Sequence, residues 1–118
     1  MTSDQVQDWL DRYLEAWRTG DRAQITALFA EDATYKYHPW DEPVHGAEAI
    51  ADDWLTNPDE PGTWQASYRP LIVDGQRAIT TGNSSYTNGR SYWNLWEVDF
   101  DASGRCTRFV EWFMRQPA

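Results

Sequence analysis

The chain has 118 residues, enough for one domain with one core. Its 19 acidic against 10 basic residues give a net charge of −9, which repels phosphate backbones and anionic lipid and argues against nucleic acid or a membrane surface as partner. Cys106 is alone, leaving neither an internal disulfide nor a cysteine-based zinc site; the opening MTSDQVQDW lacks the basic and apolar regions of a signal peptide, and no apolar run approaches membrane-spanning length, so a soluble, cytoplasmic protein is expected.

In chain order, Val6, Trp9, Leu10, Tyr13 and Trp17 recur at helical spacing, with Thr2 and Ser3 as caps and Gly20 as a stop, predicting a helix over 4–19. Asp21 caps a shorter helix whose Ile25, Leu28 and Phe29 share a face and which ends near Ala30. Residues 33–37 read as a strand, followed by a loop with Pro39 and Pro43, then a helix over 47–55 buried along Ala47, Ile50 and Trp54. Asn57, Pro58, Pro61 and Gly62 form a connection. Turn signals at Asp74-Gly75, Asn88-Gly89 and Ser103-Gly104 then recur every 14 or 15 residues. They predict a meander of four long strands, near 63–73, 77–87, 91–100 and 105–115, with a bulge or an edge at Pro70. Helices followed by a long antiparallel sheet make an α+β fold, in which a curved sheet covered by helices leaves a cavity. Eight Trp, six Tyr and four Phe supply both an aromatic core and rings to line such a cavity for an apolar ligand.

The order of elements, the phrase DRAQITALFAEDATY, the glycine that opens the third helix and the closing RCTRFVEWF together resemble the nuclear transport factor 2-like superfamily, specifically its SnoaL-like members. The resemblance spans nearly the whole chain. It implies a cone of three helices on a strongly curved, mainly antiparallel sheet, and commonly a homodimer. The fold hosts steroid isomerases, polyketide cyclases, dehydratases, epoxide hydrolases and non-catalytic binding modules, so the function has to be read from the site.

Ketosteroid isomerases of this superfamily place a general-base aspartate before a proline at the end of the first strand. Here that turn is Tyr37-His38-Pro39, which puts an imidazole where the resemblance implies the base, with Asp41 and Glu42 close behind. Pro39 holds His38 extended. His38 either works as acid or base or caps the loop. By its place on the first helix, Tyr13 resembles the isomerases' hydroxyl donor; Trp17 lies one turn further along.

On the strand from Ser91 to Phe100, Tyr92, Asn94, Trp96, Val98 and Phe100 share the face expected to be buried. Asn94 is its polar exception and needs a partner, either a substrate carbonyl or a neighbouring side chain. The last strand alternates Phe109, Glu111 and Phe113 with Arg108, Val110, Trp112 and Met114, and either parity can face inward. If the first does, desolvation makes Glu111 a usable acid or base; the alternative is a structural carboxylate paired to Arg69, Arg77 or Lys36. Residues on the concave side of the closing strand often touch ligands in SnoaL-like proteins.

The candidate catalytic residues are therefore His38, Asp41, Glu111 and Tyr13. Trp17, Tyr37, Trp40, Trp54, Tyr92, Asn94, Trp96, Phe109 and Phe113 are the candidate ligand-binding residues. No cofactor is expected, since neither a glycine-rich phosphate loop nor a nucleophile motif is present, and His38, Asp41 and His45 have no metal-ligand spacing. Two functions fit: an acid/base enzyme acting on a small apolar or aromatic molecule bearing oxygen, or a binding module with the same cavity. Trp93 and Leu95, on the outer parity of their strand, would carry the homodimer contact.

Overall fold

A computed structural model describes residues 1–117. The elements run α1 (Ser3–Thr19), α2 (Arg22–Thr26), β1 (Phe29–Lys36), β2 (Val44–His45), α3 (Ala47–Thr56), β3 (Trp64–Asp74), β4 (Arg77–Tyr86), β5 (Ser91–Phe100) and β6 (Cys106–Arg115). Among the described residues, no helix is long and apolar enough to cross a membrane.

Helix α1 begins in a capping box, with Thr2 accepting from the Gln5 amide and the Gln5 side chain accepting from the Thr2 amide, and ends at Gly20 in the left-handed conformation. Its buried stripe of Val6, Trp9, Leu10 and Tyr13 packs into the core against Ile25, Phe29, Val98, Phe100 and Phe109. The Trp9 indole is satisfied there by donating to the Leu28 carbonyl at 3.0 Å.

Two local expectations change. Helix α2 stops at Thr26 instead of reaching Ala30, and Phe29 opens β1, four residues before the predicted strand start. The reason is tertiary: Cys106 donates to the Leu28 carbonyl, and Phe29 pairs with Cys106 in the parallel β1–β6 ladder, so the closing strand claims backbone that local helical spacing would have kept. The loop after β1 also holds a short unpredicted strand, β2, in which His45 and Val44 pair with Thr34 and Tyr35.

The six-stranded sheet has the order β2-β1-β6-β5-β4-β3, antiparallel throughout except for β1 beside β6. It is curved and unclosed, with the three helices on its concave side. The meander turns fall where the glycines predict them. Pro70 meets both expectations, because β3 is the edge strand and its register against β4 shifts between Pro70 and Ile72.

Gly82, within β4, has a specific packing role. A Cβ there would lie 2.0 Å from the Ser67 carbonyl and 2.4 Å from the Tyr68 ring, so only glycine lets β3 lay Tyr68 across β4. The ring thereby reaches Trp96, with centroids 4.0 Å apart.

Candidate functional site

The strand register settles the parity left open by the sequence. Glu111 lies opposite Trp96, Phe109 opposite Val98 and Phe113 opposite Asn94, and directly opposed residues share a face. Phe109, Glu111 and Phe113 therefore belong to the concave side.

Between that side and the helices is an open cavity of about 340 Å³. α1 supplies Tyr13 and Trp17, β1 leads to Tyr35 and Tyr37, α3 supplies Trp54 and Asp53, and the meander supplies Tyr68, Ser84, Tyr86, Tyr92, Asn94, Trp96, Glu111 and Phe113. All six tyrosines of the chain line this one space.

Glu111 is its central polar group. Trp96 Nε1 donates to Glu111 Oε2 at 2.5 Å, and Asn94 Nδ2 donates to the same oxygen at 3.0 Å. Among the described residues neither donor reaches Oε1, which is left for a ligand. Burial raises the Glu111 carboxyl from the ordinary 4.5 to about 7; the Trp96 and Asn94 hydrogen bonds and the charge of His38 act in the opposite direction without cancelling it. The carboxyl thus exchanges a proton near neutral pH.

Facing it are phenols that stay protonated. The Tyr13 and Tyr35 hydroxyls are 2.6 Å apart, and burial pushes both well above the ordinary tyrosine value. One hydroxyl must donate to the other, which leaves one phenolic proton of the pair free for a ligand oxygen. Burial also raises Tyr37 and Tyr68, Tyr37 further through its hydrogen bond to Asp53, while Tyr86, nearer the mouth, is pushed up to about 12, chiefly by burial.

Trp17, on the cavity wall, stacks on Trp64 with centroids 3.7 Å apart and donates to Asp59 at 3.0 Å. The Arg90 guanidinium lies 5.3 Å above the Tyr86 ring.

Nine of the expected residues line the cavity: Tyr13, Trp17, Tyr37, Trp54, Tyr92, Asn94, Trp96, Glu111 and Phe113. Phe109 does not; it is wholly buried beneath the wall, stacked on Tyr35 at 4.3 Å. His38 and Asp41 form a pair just outside, Nδ1 to Oδ2 at 2.8 Å, with the imidazole against the far side of Phe113 at 5.2 Å and stacked on Trp40 at 4.8 Å. Trp40 is 80 % exposed and faces solvent, and Glu42 and His45 are also exposed. The sequence reading missed Tyr35, Asp53, Asp59, Tyr68, Ser84, Tyr86 and Arg90, which come from separate elements and converge only through the curvature of the sheet. Gly82, a glycine inside a strand pattern, was the available signal for Tyr68.

Three helices on the concave side of a curved, mostly antiparallel sheet define an α+β class. The SnoaL-like domain family matches residues 10–114, and the chain belongs to it. Similar solved structures include an NTF-2-like protein of unknown function from Burkholderia xenovorans LB400, with a TM-score of 0.76 at 21 % identity over 98 % of this chain and 86 % of that one. A candidate ketosteroid isomerase from Kribbella flavida DSM 17836 gives 0.75 at 18 % identity, over 98 % and 82 %. An LEH-like epoxide hydrolase from M. tuberculosis gives 0.71 at 15 %, over 95 % and 84 %. At these identities the likeness is one of fold.

Proposed function

We propose that residues 1–118 act as one domain that binds a small, mostly apolar, oxygen-bearing molecule and moves a proton on it, with Glu111 as the acid/base group. The observation that carries this reading is the arrangement of Glu111: one oxygen held by two donors, the other open to an aromatic cavity, and a proton affinity matched to neutral pH. The free phenolic proton of the Tyr13–Tyr35 pair is placed to stabilise an oxygen on which charge develops. His38, with Asp41 on its Nδ1, acts from behind Phe113, where its charge favours the ionised form of Glu111. Isomerisation, dehydration, cyclisation and hydrolysis all run through such proton transfers. The lone cysteine and acidic composition support a cytoplasmic setting.

A simple ring ketone tests the chemistry. In D₂O the protein should exchange the α-protons of 2-tetralone, followed by mass spectrometry, and Glu111→Gln should slow that exchange by about 100-fold, as expected for loss of a general base. Equal rates for the two proteins would contradict the acid/base role.

A second reading, a self-associating binding module, draws on the outer face of the sheet. Trp93, Leu95, Trp112 and Met114 form exposed apolar surface there, the two tryptophans about half exposed. A homodimer across this face is compatible with either function, and light scattering at tens of micromolar should give twice the chain mass.

A further inference from the structure

Ser84 is buried on the concave side of β4 and reaches Glu111 only through Asn94. Its hydroxyl donates to Asn94 Oδ1 at 3.3 Å, while Asn94 Nδ2 donates to Glu111 Oε2 at 3.0 Å. An ionised carboxylate only accepts, so it takes the amide N–H; Asn94 Oδ1 then needs a donor, and Ser84 supplies it. A primary amide is nearly symmetric in shape. Turned by half a rotation, Asn94 would present its carbonyl oxygen to the carboxylate, and only its hydrogen-bond partners decide between the two orientations.

We propose that Ser84 is a positioning residue for Glu111: by donating to Asn94 Oδ1 it holds the amide with Nδ2 toward the carboxylate, keeping Oε2 occupied and Oε1 presented to the ligand. This rests on the acid/base reading of Glu111 and adds the residue that orients its partner.

Ser84→Ala leaves a buried amide oxygen without its donor, so one of the two partners that aim Nδ2 at Glu111 is gone. The ionised carboxylate is then less well held and its titration midpoint rises. Ser84→Thr keeps a hydroxyl and should restore the midpoint.

Other groups also act on Glu111. Tyr37 and His38 approach from the loop after β1, Tyr13 from α1 and Tyr35 from β1. Tyr68 on β3 and Tyr86 on β4 complete the ring. Asp53, Asp59 and Arg90 line the same cavity further out. Each comparison is therefore repeated in a His38→Gln background, which removes the imidazole charge.

The Trp96 indole N–H, which donates directly to Glu111, is the reporter, followed by ¹H–¹⁵N NMR from about pH 5 to about pH 9 without any ligand. We expect an inflection near 7 that is lost in Glu111→Gln, moved up by about half to one pH unit in Ser84→Ala, and returned in Ser84→Thr. An inflection that Glu111→Gln abolishes and Ser84→Ala leaves in place overturns the role of Ser84 alone. If Ser84→Ala does not fold, an unmoved inflection in Asn94→Ala, which removes the amide through which Ser84 acts, overturns it equally. A wild type with no inflection, or one that survives Glu111→Gln, overturns the reading of Glu111 and this assignment with it.

Discussion

The β5–β6 hairpin carries two glutamates that each accept an indole N–H, on opposite faces. On the concave face Trp96 donates to Glu111 at 2.5 Å; on the convex face Trp112 donates to Glu97 at 2.7 Å. Glu97 also has Arg108, at 3.2 Å, and a share of solvent. Glu111 has an amide in place of the guanidinium, and rings in place of water. The indole bond is common to both, so it does not make one carboxylate chemically active. What differs is the balance of burial against available cations: removing the carboxylate from water without an adjacent full charge shifts its protonation to neutral pH.

Substitutions on the two faces should differ accordingly. The largest effect is expected at Gly82, where the concave wall depends on close approach of two strands: Gly82→Ala would force a Cβ into the Ser67 carbonyl and should cost about 3 kcal/mol or more, read by urea denaturation. Glu111→Gln comes next, with a sign that depends on pH. The native carboxyl binds its proton more tightly than the unfolded one, so the wild type loses stability as pH rises from 4.5 towards 7, and the penalty is complete above that range. The glutamine variant avoids it. The variant should be more stable than wild type at pH 8.5 by up to about 3 kcal/mol, an advantage that fades below pH 4.5. Measurements of unfolding at both pH values check this.

Convex-face changes should be milder. Trp93→Ala combined with Trp112→Ala should alter chain stability by no more than about 1 kcal/mol, since both rings are half exposed, yet abolish a dimer seen by light scattering. Smallest of all is Glu97→Gln, which loses a partly exposed ion pair worth about 0 to 1 kcal/mol, read by urea denaturation.

The same contrast explains what the sequence could reveal. The fold was legible because each signal was local: a capped amphipathic helix, a glycine stop, and three turn dipeptides at even spacing. The misplaced boundary at Phe29 and the unread strand at Val44 both arise from pairing with distant strands, which local periodicity does not contain. Asn94 and Trp96 could be assigned inward because, Asn94 apart, their parity is apolar. Glu111 could not, because Phe109 and Phe113 on one side of β6 are matched by Val110, Trp112 and Met114 on the other. Only its register against β5 decides. Tyr35, Tyr68 and Tyr86 were passed over for a related reason: each reads as ordinary strand aromatic content until the sheet bends and brings them around one space.

The central claim is that Glu111 is a poorly solvated carboxyl opening onto that space, and carbon-13 NMR of the Glu111 side-chain carboxyl carbon across pH tests it without any assumption about substrate. A midpoint near 7 is expected, moving upward in His38→Gln because the imidazole charge that favours ionisation is gone. A midpoint at the ordinary carboxyl value of 4.5, unmoved by His38→Gln, would contradict it.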